Sequence, residues 1–303
     1  MFEICLPELL GGRCIPSTAL FGQLLIGLIN GSFYALLSLG LAVIFGMLNV
    51  INFTHGAQYM LGAVVAYLLL VKLDVGYWPA LIIAPILVGI SGIIVERTML
   101  RWLYKLDHLY GLLLTFGLAL VFEGVVRNNF GSAGLPYAMP DSLRGGMNLG
   151  FMFLPNYRAW VVGVSLAVCL ATWFVIERTK LGAYLRAATE NPALVNAFGV
   201  NVPRMITLTY GFGVALAAFA GVMAAPIYNV SPQMGSSLII VVFAVVVIGG
   251  MGSIMGAVVT GFGLGIIEGL TKVFFPEASN TVIFIIMAIV LLVRPAGLFG
   301  RRV

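Results

Sequence analysis

The side chains that could do chemistry in this sequence are mostly uncharged, and many of them interrupt long apolar runs. The densest group is NVINFTHGAQYM at residues 49–60, between one apolar run that ends near residue 47 and another that continues to residue 71. Asparagine and threonine side chains hydrogen-bond nearby backbone groups and compete with helix formation. Inside a membrane every backbone N–H and C=O must be satisfied within the protein. We therefore expect a broken helix here, with Asn49, Asn52 and Thr54 capping its ends and His55 and Gln58 in the first turn of the next helix.

Patterns typical of enzymes and metalloproteins are missing from the sequence. It has two histidines and three cysteines, without a Cys/His cluster at metal-ligand spacing. It also lacks the G-x-x-x-x-G-K-[ST] phosphate loop. We expect no catalytic residue, no metal site and no cofactor bound by this chain. Cys5 and Cys14 could form a disulfide if the N-terminus lies outside the cell, which their spacing alone leaves open.

The composition is that of an integral membrane protein. Hydrophobic residues make up 61% of the chain and charged residues 9%, whereas soluble domains carry about 25% charged residues. The apolar runs approach the ~20 residues that a helix needs to cross a bilayer. We predict an all-α polytopic protein with eight or nine transmembrane helices, some broken, in one transmembrane domain of residues 1–303. The predicted runs are 20–47, 54–71, 78–96, 109–126, 158–176, 205–226, 237–250, 255–274 and 280–293.

The basic residues predict how the chain lies in the membrane. Lys and Arg are more frequent in the connections around 97–105, 178–204 and 294–302 than in the alternate ones. Connections rich in Lys and Arg stay in the cytoplasm, so we predict an outer N-terminus and a cytoplasmic C-terminus. Two connections are long: a periplasmic loop at 127–157, expected to lie on the membrane or to receive a partner, and a cytoplasmic loop at 177–204.

Polar residues within the apolar runs predict a translocation pathway. Asn30, Tyr34 and Ser38 follow one another at four-residue spacing and give the first helix a polar face, which must point into the protein. Glu268 lies four residues before Lys272, a spacing that allows an ion pair. Ordinary hydrogen bonding between helices is the alternative for each group. The predicted pathway residues are Asn30, Tyr34, Ser38, Asn49, Asn52, Thr54, His55, Gln58 and Glu268.

Small residues at four-residue spacing predict close helix packing. Such spacing lets helix backbones approach one another in lipid, and it recurs in two of the later apolar runs. The stretch IGGMGSIMG at 248–256 predicts a second helix break, and paired breaks in two halves of a transporter point to a shared pathway. The predicted packing glycines are Gly213, Gly221, Gly252, Gly256, Gly261 and Gly265.

The cytoplasmic connection contains the most specific pattern, GAYLRAATENPALVNAFGVNVPR at 182–204. Gly182 and Pro192 are expected to break it into short helices, and Gly199 to end the second one. The stretch 193–198 supplies a small apolar face. Such a segment either lies on the lipid headgroups or docks a cytoplasmic subunit.

This pattern resembles the coupling loop of ABC-importer permeases, in the R-A-x-x-E-N-x-x-x-A-x-x-x-G-[IV]-N form of the high-affinity branched-chain amino acid permeases of the H type. Three further stretches agree with that family: 30–46, 50–63 and 249–268. The family's NFAHGE is NFTHGAQ here, with Thr54 for alanine and Gln58 near a position that is often acidic. Val195 occupies a position that is often small, and the lysine that often precedes the phenylalanine of the seventh run is missing.

The resemblance implies the ABC-importer permease fold and a place in a bacterial inner membrane. It implies a second, M-type permease, two cytoplasmic ATPase subunits that bind ATP and Mg, and a periplasmic substrate-binding protein; a homodimeric permease is the alternative. The expected activity is alternating-access import of branched-chain or other hydrophobic amino acids. Urea, short amides and aromatic or other carboxylates are alternative substrates, and an ATP-independent channel or facilitator is an alternative of another class. The residues implied in ATPase coupling are Arg186, Ala187, Glu190, Asn191, Leu194, Ala197, Phe198 and Gly199.

Overall fold

The fold is that of an almost entirely helical protein, as seen in a computed structural model that describes residues 3–5, 14–48, 52–104 and 106–300. Short antiparallel strands pair as β1 (Glu3–Cys5) with β2 (Cys14–Pro16), and as β3 (Gly146–Asn148) with β4 (Phe153–Pro155). The helices are α1 (Ser17–Leu48), α2 (Thr54–Leu73), α3 (Tyr77–Val95), α4 (Arg101–Leu103), α5 (His108–Phe130), α6 (Asn156–Arg178), α7 (Lys180–Glu190), α8 (Pro192–Ala197), α9 (Val202–Tyr228), α10 (Met234–Gly249), α11 (Ile254–Phe274) and α12 (Val282–Val293).

Seven of the helical segments in the described residues are long and apolar enough to cross a membrane. One of them runs from Tyr77 to Leu103, because a π-helical turn at Glu96–Leu100 joins α3 to α4. Helices α10 and α12 are also apolar but have only 16 and 12 residues. Each of the nine predicted runs corresponds to a helix, and the prediction of an all-α polytopic membrane protein is confirmed. Whether α10 and α12 both cross the membrane stays a prediction.

The core of the bundle is formed by α1, α2, α9 and α11, while α5 and α6 lie at the periphery with apolar side chains exposed. Glycines allow the central helices to touch through their backbones. A Cβ atom on Gly265 would lie 2.3 Å from the Cα of Gly31, and one on Gly221 would lie 1.9 Å from the carbonyl oxygen of Tyr59. Predicted packing glycines also face neighbours elsewhere: Gly261 faces Ala35, Gly213 faces Gly40, Gly256 faces Gly249 and Gly252 faces Gly46.

The second predicted helix break lies at the end of the bundle where α1 ends. Helix α10 ends at Gly249, and the turn that follows contains Gly250 and Gly252 with φ of 103° and 81°. The Oγ of Ser253 then accepts a hydrogen bond from the Gly256 N–H at 3.1 Å and caps α11. Gly252 lies against Gly46 near the end of α1, so the second break packs beside the last turn of α1 that the structure describes.

The connection at 177–204, which is predicted to be cytoplasmic, folds into two short helices, with one difference from expectation. Gly182 was expected to break the helix but lies inside α7, because its missing side chain lets α7 pack against the end of α6; a Cβ there would lie 1.6 Å from the Ile176 carbonyl oxygen. Pro192 does begin α8, where the Asn191 side chain accepts a hydrogen bond from the Leu194 N–H at 3.0 Å. Gly199 follows with φ of 84°.

The opposite end of the bundle, which we call the outer end as the charge pattern predicts, holds residues 131–155. Helix α5 continues to Phe130 and α6 begins at Asn156, so the connection is shorter than the predicted 127–157. Tyr77, Trp78, Tyr157 and Trp160 pack edge to face or tilted at the starts of α3 and α6, where aromatic residues mark a membrane interface. In the β1–β2 pair Cys5 lies opposite Cys14 along the backbone; their side chains lie outside the described residues, and the disulfide stays a prediction.

Candidate translocation site

A cavity of about 320 Å³ lies between α1, α2, α9 and α10, in the half of the bundle toward the outer end. All nine of its lining residues are uncharged, and four of them are aromatic. Cavities of this size hold small molecules when a few polar groups are placed among apolar walls. The lining residues are Asn30, Phe33, Tyr34, Tyr59, Tyr228, Ser231, Met234, Ser237 and Leu238.

Helix α1 supplies the central polar groups of this cavity because Asn30 and Tyr34 lie one turn apart. The Tyr228 hydroxyl donates to Asn30 Oδ1 at 2.8 Å, and the Tyr34 hydroxyl donates to Glu268 Oε2 at 2.7 Å. Glu268 is 5% exposed and forms an ion pair with Lys272 one turn further along α11. The structure thus brings Asn30, Tyr34 and Glu268 together, with the carboxylate behind Tyr34 rather than on the cavity wall.

Ser38, the third residue of the predicted polar face, lies one turn further along α1 and away from this cavity. Its Oγ donates to the carbonyl oxygens of Ala35 at 3.1 Å and Ala257 at 3.3 Å. Because Ala257 belongs to α11, Ser38 connects the two most closely packed helices.

The polar cluster at 52–58 is buried and folds around Tyr210 of α9. The Asn52 and Gln58 side-chain amides donate to the Tyr210 hydroxyl at 3.1 and 3.3 Å, and the Thr54 hydroxyl donates to Asn52 Oδ1. The N-cap residue of α2 is Phe53, without a side-chain cap. The expectation that Asn52 and Thr54 cap this helix is therefore wrong, since the distant Tyr210 takes the Asn52 amide instead.

His55 lies beside this cluster and contacts α1. Its Nε2 is 3.0 Å from the Leu37 carbonyl oxygen, while His55 Nδ1 and Gln58 Oε1 are buried without a hydrogen-bond partner among the described residues. Residues 52–58 do not line the cavity at Asn30 and Tyr34, and their part in a pathway stays a prediction. Asn49 lies outside the described residues.

A second cavity, of about 570 Å³, lies opposite the outer end, beside α7, the last turns of α1 and the second helix break. One wall is Arg186, whose Nη1 donates to the Ile176 carbonyl oxygen at 3.1 Å and lies 3.3 Å from Glu177 Oε2. Arg186 is partly buried, whereas the other predicted coupling residues are exposed. Leu194 is 54% and Phe198 80% exposed. The exposed coupling residues are Ala187, Glu190, Asn191, Leu194, Ala197, Phe198 and Gly199.

Two features of the site escaped the sequence reasoning. Tyr228 closes one side of the outer cavity, but it falls at the end of an apolar run, where nothing in its neighbours signals a role. Glu96 is 1% exposed and accepts hydrogen bonds from the hydroxyls of Tyr104 and Thr207, both at 2.8 Å. Among the described residues it has no ion-pair partner. Glu96 is the last residue of the predicted run 78–96, and the π-helical turn that places it inside the bundle leaves no pattern in the sequence.

Comparison with known proteins finds relatives that match nearly the whole chain. The high-affinity branched-chain amino acid transport system permease proteins LivH of Escherichia coli K12 and BraD of Pseudomonas aeruginosa are 29% and 31% identical to this chain, in each case over 92% of this chain and 95% of the relative. The E. coli permease protein LivM of the same system is 27% identical over 88% of this chain and 67% of its own. A solved structure, PsaBC from Streptococcus pneumoniae in complex with Fab, aligns over 91% of this chain and 89% of that chain, with 15% identity and a TM-score of 0.41.

The profile of one family, described as the permease component of the branched-chain amino acid transport system, matches residues 23–291. This match covers every helix from α2 to α11 and most of α1 and α12. It includes both helix breaks, the outer cavity and the exposed α7–α8 segment. The chain belongs to the family of branched-chain amino acid transport permeases.

Proposed function

We propose that this chain is one of two permease subunits of an ATP-driven importer and that it moves branched-chain or other hydrophobic amino acids inward by alternating access. The observation that carries the proposal is the uncharged cavity at Asn30 and Tyr34, whose neighbouring carboxylate, Glu268, is already paired with Lys272. A cavity without an unpaired charge suits a solute with no net charge that must be released again. Its aromatic and aliphatic walls suit an apolar side chain.

The energy for transport would enter at the other end of the molecule. Leu194 of α8 and Phe198, which follows α8, are exposed at the end predicted to be cytoplasmic. Exposed apolar groups on a short rigid segment would form a docking surface for a partner protein. Two ATPase subunits would bind there and carry ATP and Mg, so this chain would not be an enzyme. Helix α9 begins three residues after Gly199 and ends at Tyr228, on the cavity wall.

The remaining partners follow from the family. The relatives LivH and LivM carry the names of two permease proteins of one transport system, which supports a heterodimer of this chain with an M-type permease. A substrate-binding protein would dock on the outer end, at residues 131–155. The chain would then lie in a bacterial inner membrane with its N-terminus in the periplasm and its C-terminus in the cytoplasm.

Reconstitution of the complete complex in proteoliposomes tests this function. With ATP and the binding protein, we expect uptake of radiolabelled leucine, competed by isoleucine and valine and not by urea, acetamide or benzoate. Phe198→Ala should abolish ATP-driven uptake and weaken copurification of the ATPase. Phe174→Ala, which removes a 58% exposed ring from the membrane-facing surface of α6, is the matched control and should leave both unchanged. Uptake that persists without the ATPase subunits would establish a facilitator instead.

A further inference from the structure

Tyr228, the last residue of α9, lies across one side of the outer cavity. Its hydroxyl donates to Asn30 Oδ1 at 2.8 Å, and its ring meets Phe33 edge to face with 5.6 Å between the ring centroids. The residue is 47% exposed although both partners belong to the cavity wall. Tyr228 therefore separates the cavity from its surroundings while it is itself accessible.

The position of Tyr228 differs from that of a structural tyrosine in the same bundle. Tyr157 is fully buried and donates to the Met223 carbonyl oxygen at 2.8 Å. The partner of Tyr228 is instead a side-chain amide, whose Oδ1 could accept a hydrogen bond from a solute equally well. A single uncharged hydrogen bond contributes little net stability, and at a half-exposed site water can replace it, so the contact can open without disturbing the fold.

The outer loop is tied to the chain two residues beyond Tyr228. Asn229 ends α9 with a positive φ of 59°. Val230 and Leu135 then form an isolated antiparallel bridge, with the Leu135 N–H donating to the Val230 carbonyl oxygen at 2.8 Å and the Val230 N–H donating to the Leu135 carbonyl oxygen at 2.9 Å. Val230 is 1% exposed, which fixes the bridge against the bundle. A displacement of the loop at Leu135 therefore acts on the end of α9 that carries Tyr228.

We infer that Tyr228 is the outer gate of the translocation cavity and that the Leu135–Val230 bridge opens it when the outer loop moves. In the closed state the Tyr228 hydroxyl occupies the acceptor oxygen Oδ1 of Asn30. In the open state Asn30 is free to bind a polar group of the entering amino acid, so Asn30 both holds the gate and selects for a solute with a hydrogen-bond donor. This inference rests on the proposed function, since it assigns the step at which the importer admits its substrate.

Two substitutions test the gate and the Leu135–Val230 bridge separately. Tyr228→Phe keeps the ring and removes the hydroxyl that bonds Asn30, and Leu135→Pro removes one N–H of the bridge. In the reconstituted complex, Tyr228→Phe should raise the ATP-independent leak of radiolabelled leucine about three- to tenfold, which is the factor that one lost neutral hydrogen bond represents. It should also raise ATP hydrolysis in the absence of binding protein. Leu135→Pro should leave that leak low and reduce the stimulation of hydrolysis by loaded binding protein.

Tyr110→Phe is the matched control, because Tyr110 is 57% exposed at the opposite end of the bundle, and it should change neither quantity. A folding defect would lower uptake and hydrolysis together, whereas an open gate raises leak and basal hydrolysis. If wild-type complex imports leucine with ATP but Tyr228→Phe leaks no more than Tyr110→Phe, the gate is refuted and the proposed function stands. If wild-type complex imports nothing with ATP, both are refuted.

Cross-linking gives a second and independent measurement. In a background without Cys5, Cys14 and Cys169, a short bifunctional thiol reagent should join Asn30→Cys to Tyr228→Cys and stop uptake, and cleavage of the linker should restore it. Each single cysteine variant, treated in the same way, should keep the uptake that it shows without the reagent. A cross-linked complex that still transports would overturn the assignment of Tyr228 as a gate.

Discussion

Replacing Gly265 by alanine tests whether the contact between α1 and α11 is as close as the structure shows. A Cβ at this position would lie 2.3 Å from the Cα of Gly31 and 2.5 Å from the carbonyl oxygen of Gly27. Both are backbone atoms, so no side chain can rotate away. The first distance is about 1 Å short of the 3.4 Å at which ordinary contact begins, and the two helices must separate by a similar amount.

The expected loss follows from this geometry. Overpacking a tightly packed core costs about 1–3 kcal/mol. Gly263 offers a control on the same helix, since a Cβ there meets nothing within 4 Å; Gly263→Ala should gain up to about 1 kcal/mol from helix propensity. The free energies of unfolding of the two variants should therefore differ by about 1–4 kcal/mol.

Unfolding in mixed micelles of mild detergent and dodecyl sulfate, followed by tryptophan fluorescence, measures that difference. Uptake should fall in Gly265→Ala as well, because Glu268 lies one turn beyond Gly265 and its bond to Tyr34 is only 2.7 Å long. Equal unfolding free energies for the two variants would show that α1 and α11 are not in backbone contact and would refute the packing described above.

Three further outcomes are expected. Glu96→Ala should cost about 1–3 kcal/mol of unfolding free energy, because it removes the acceptor of the part-buried Tyr104 hydroxyl, while the Thr207 hydroxyl keeps the Pro203 carbonyl oxygen. Glu96→Gln, which keeps an acceptor, should lose less in the same assay. Burial raises the pKa of Tyr137 to about 12, so the folded state holds this proton after the unfolded state has released it, and the free energy of unfolding should fall between about pH 10 and pH 12. Tyr137→Phe should reduce that fall. Identical pH profiles for the variant and the wild type would contradict this expectation. Arg186→Ala removes the hydrogen bond from α7 to the end of α6 and should lower uptake more than ATP hydrolysis. A proportional loss of both would count against the role of Arg186 in positioning α7.

The helices could be predicted from the sequence because the signal for each one is local. An apolar run of membrane length specifies a helix whatever surrounds it, and all nine runs correspond to helices. The close packing of α11 could equally be predicted from its glycine spacing, since small residues four apart lie on one face of a helix. Pro192 and Gly199 were placed correctly for the same reason: their backbone preferences need no distant partner.

The candidate site was less predictable because its contacts join residues far apart in the chain. Asn52 and Gln58 bond Tyr210 of α9, and the rotation of α9 about its axis decides this contact. The same holds for Tyr228 and Asn30. The prediction of a helix break at Gly182 was wrong for a different reason. Glycine is unfavourable in helices, but close packing of α7 against Ile176 outweighs that preference.

Helix α9 connects the two ends at which the proposed importer works, and its packing suggests how. Its 27 residues span about 40 Å, from Val202 behind the coupling segment to Tyr228 at the outer cavity. Near its middle Gly213 and Gly221 bring its backbone against α1 and α2, where it has the least room to shift. A stiff helix held at its middle moves in opposite directions at its two ends. A pull on the α7–α8 segment would therefore tilt Tyr228 relative to Asn30 without unfolding any part of the bundle.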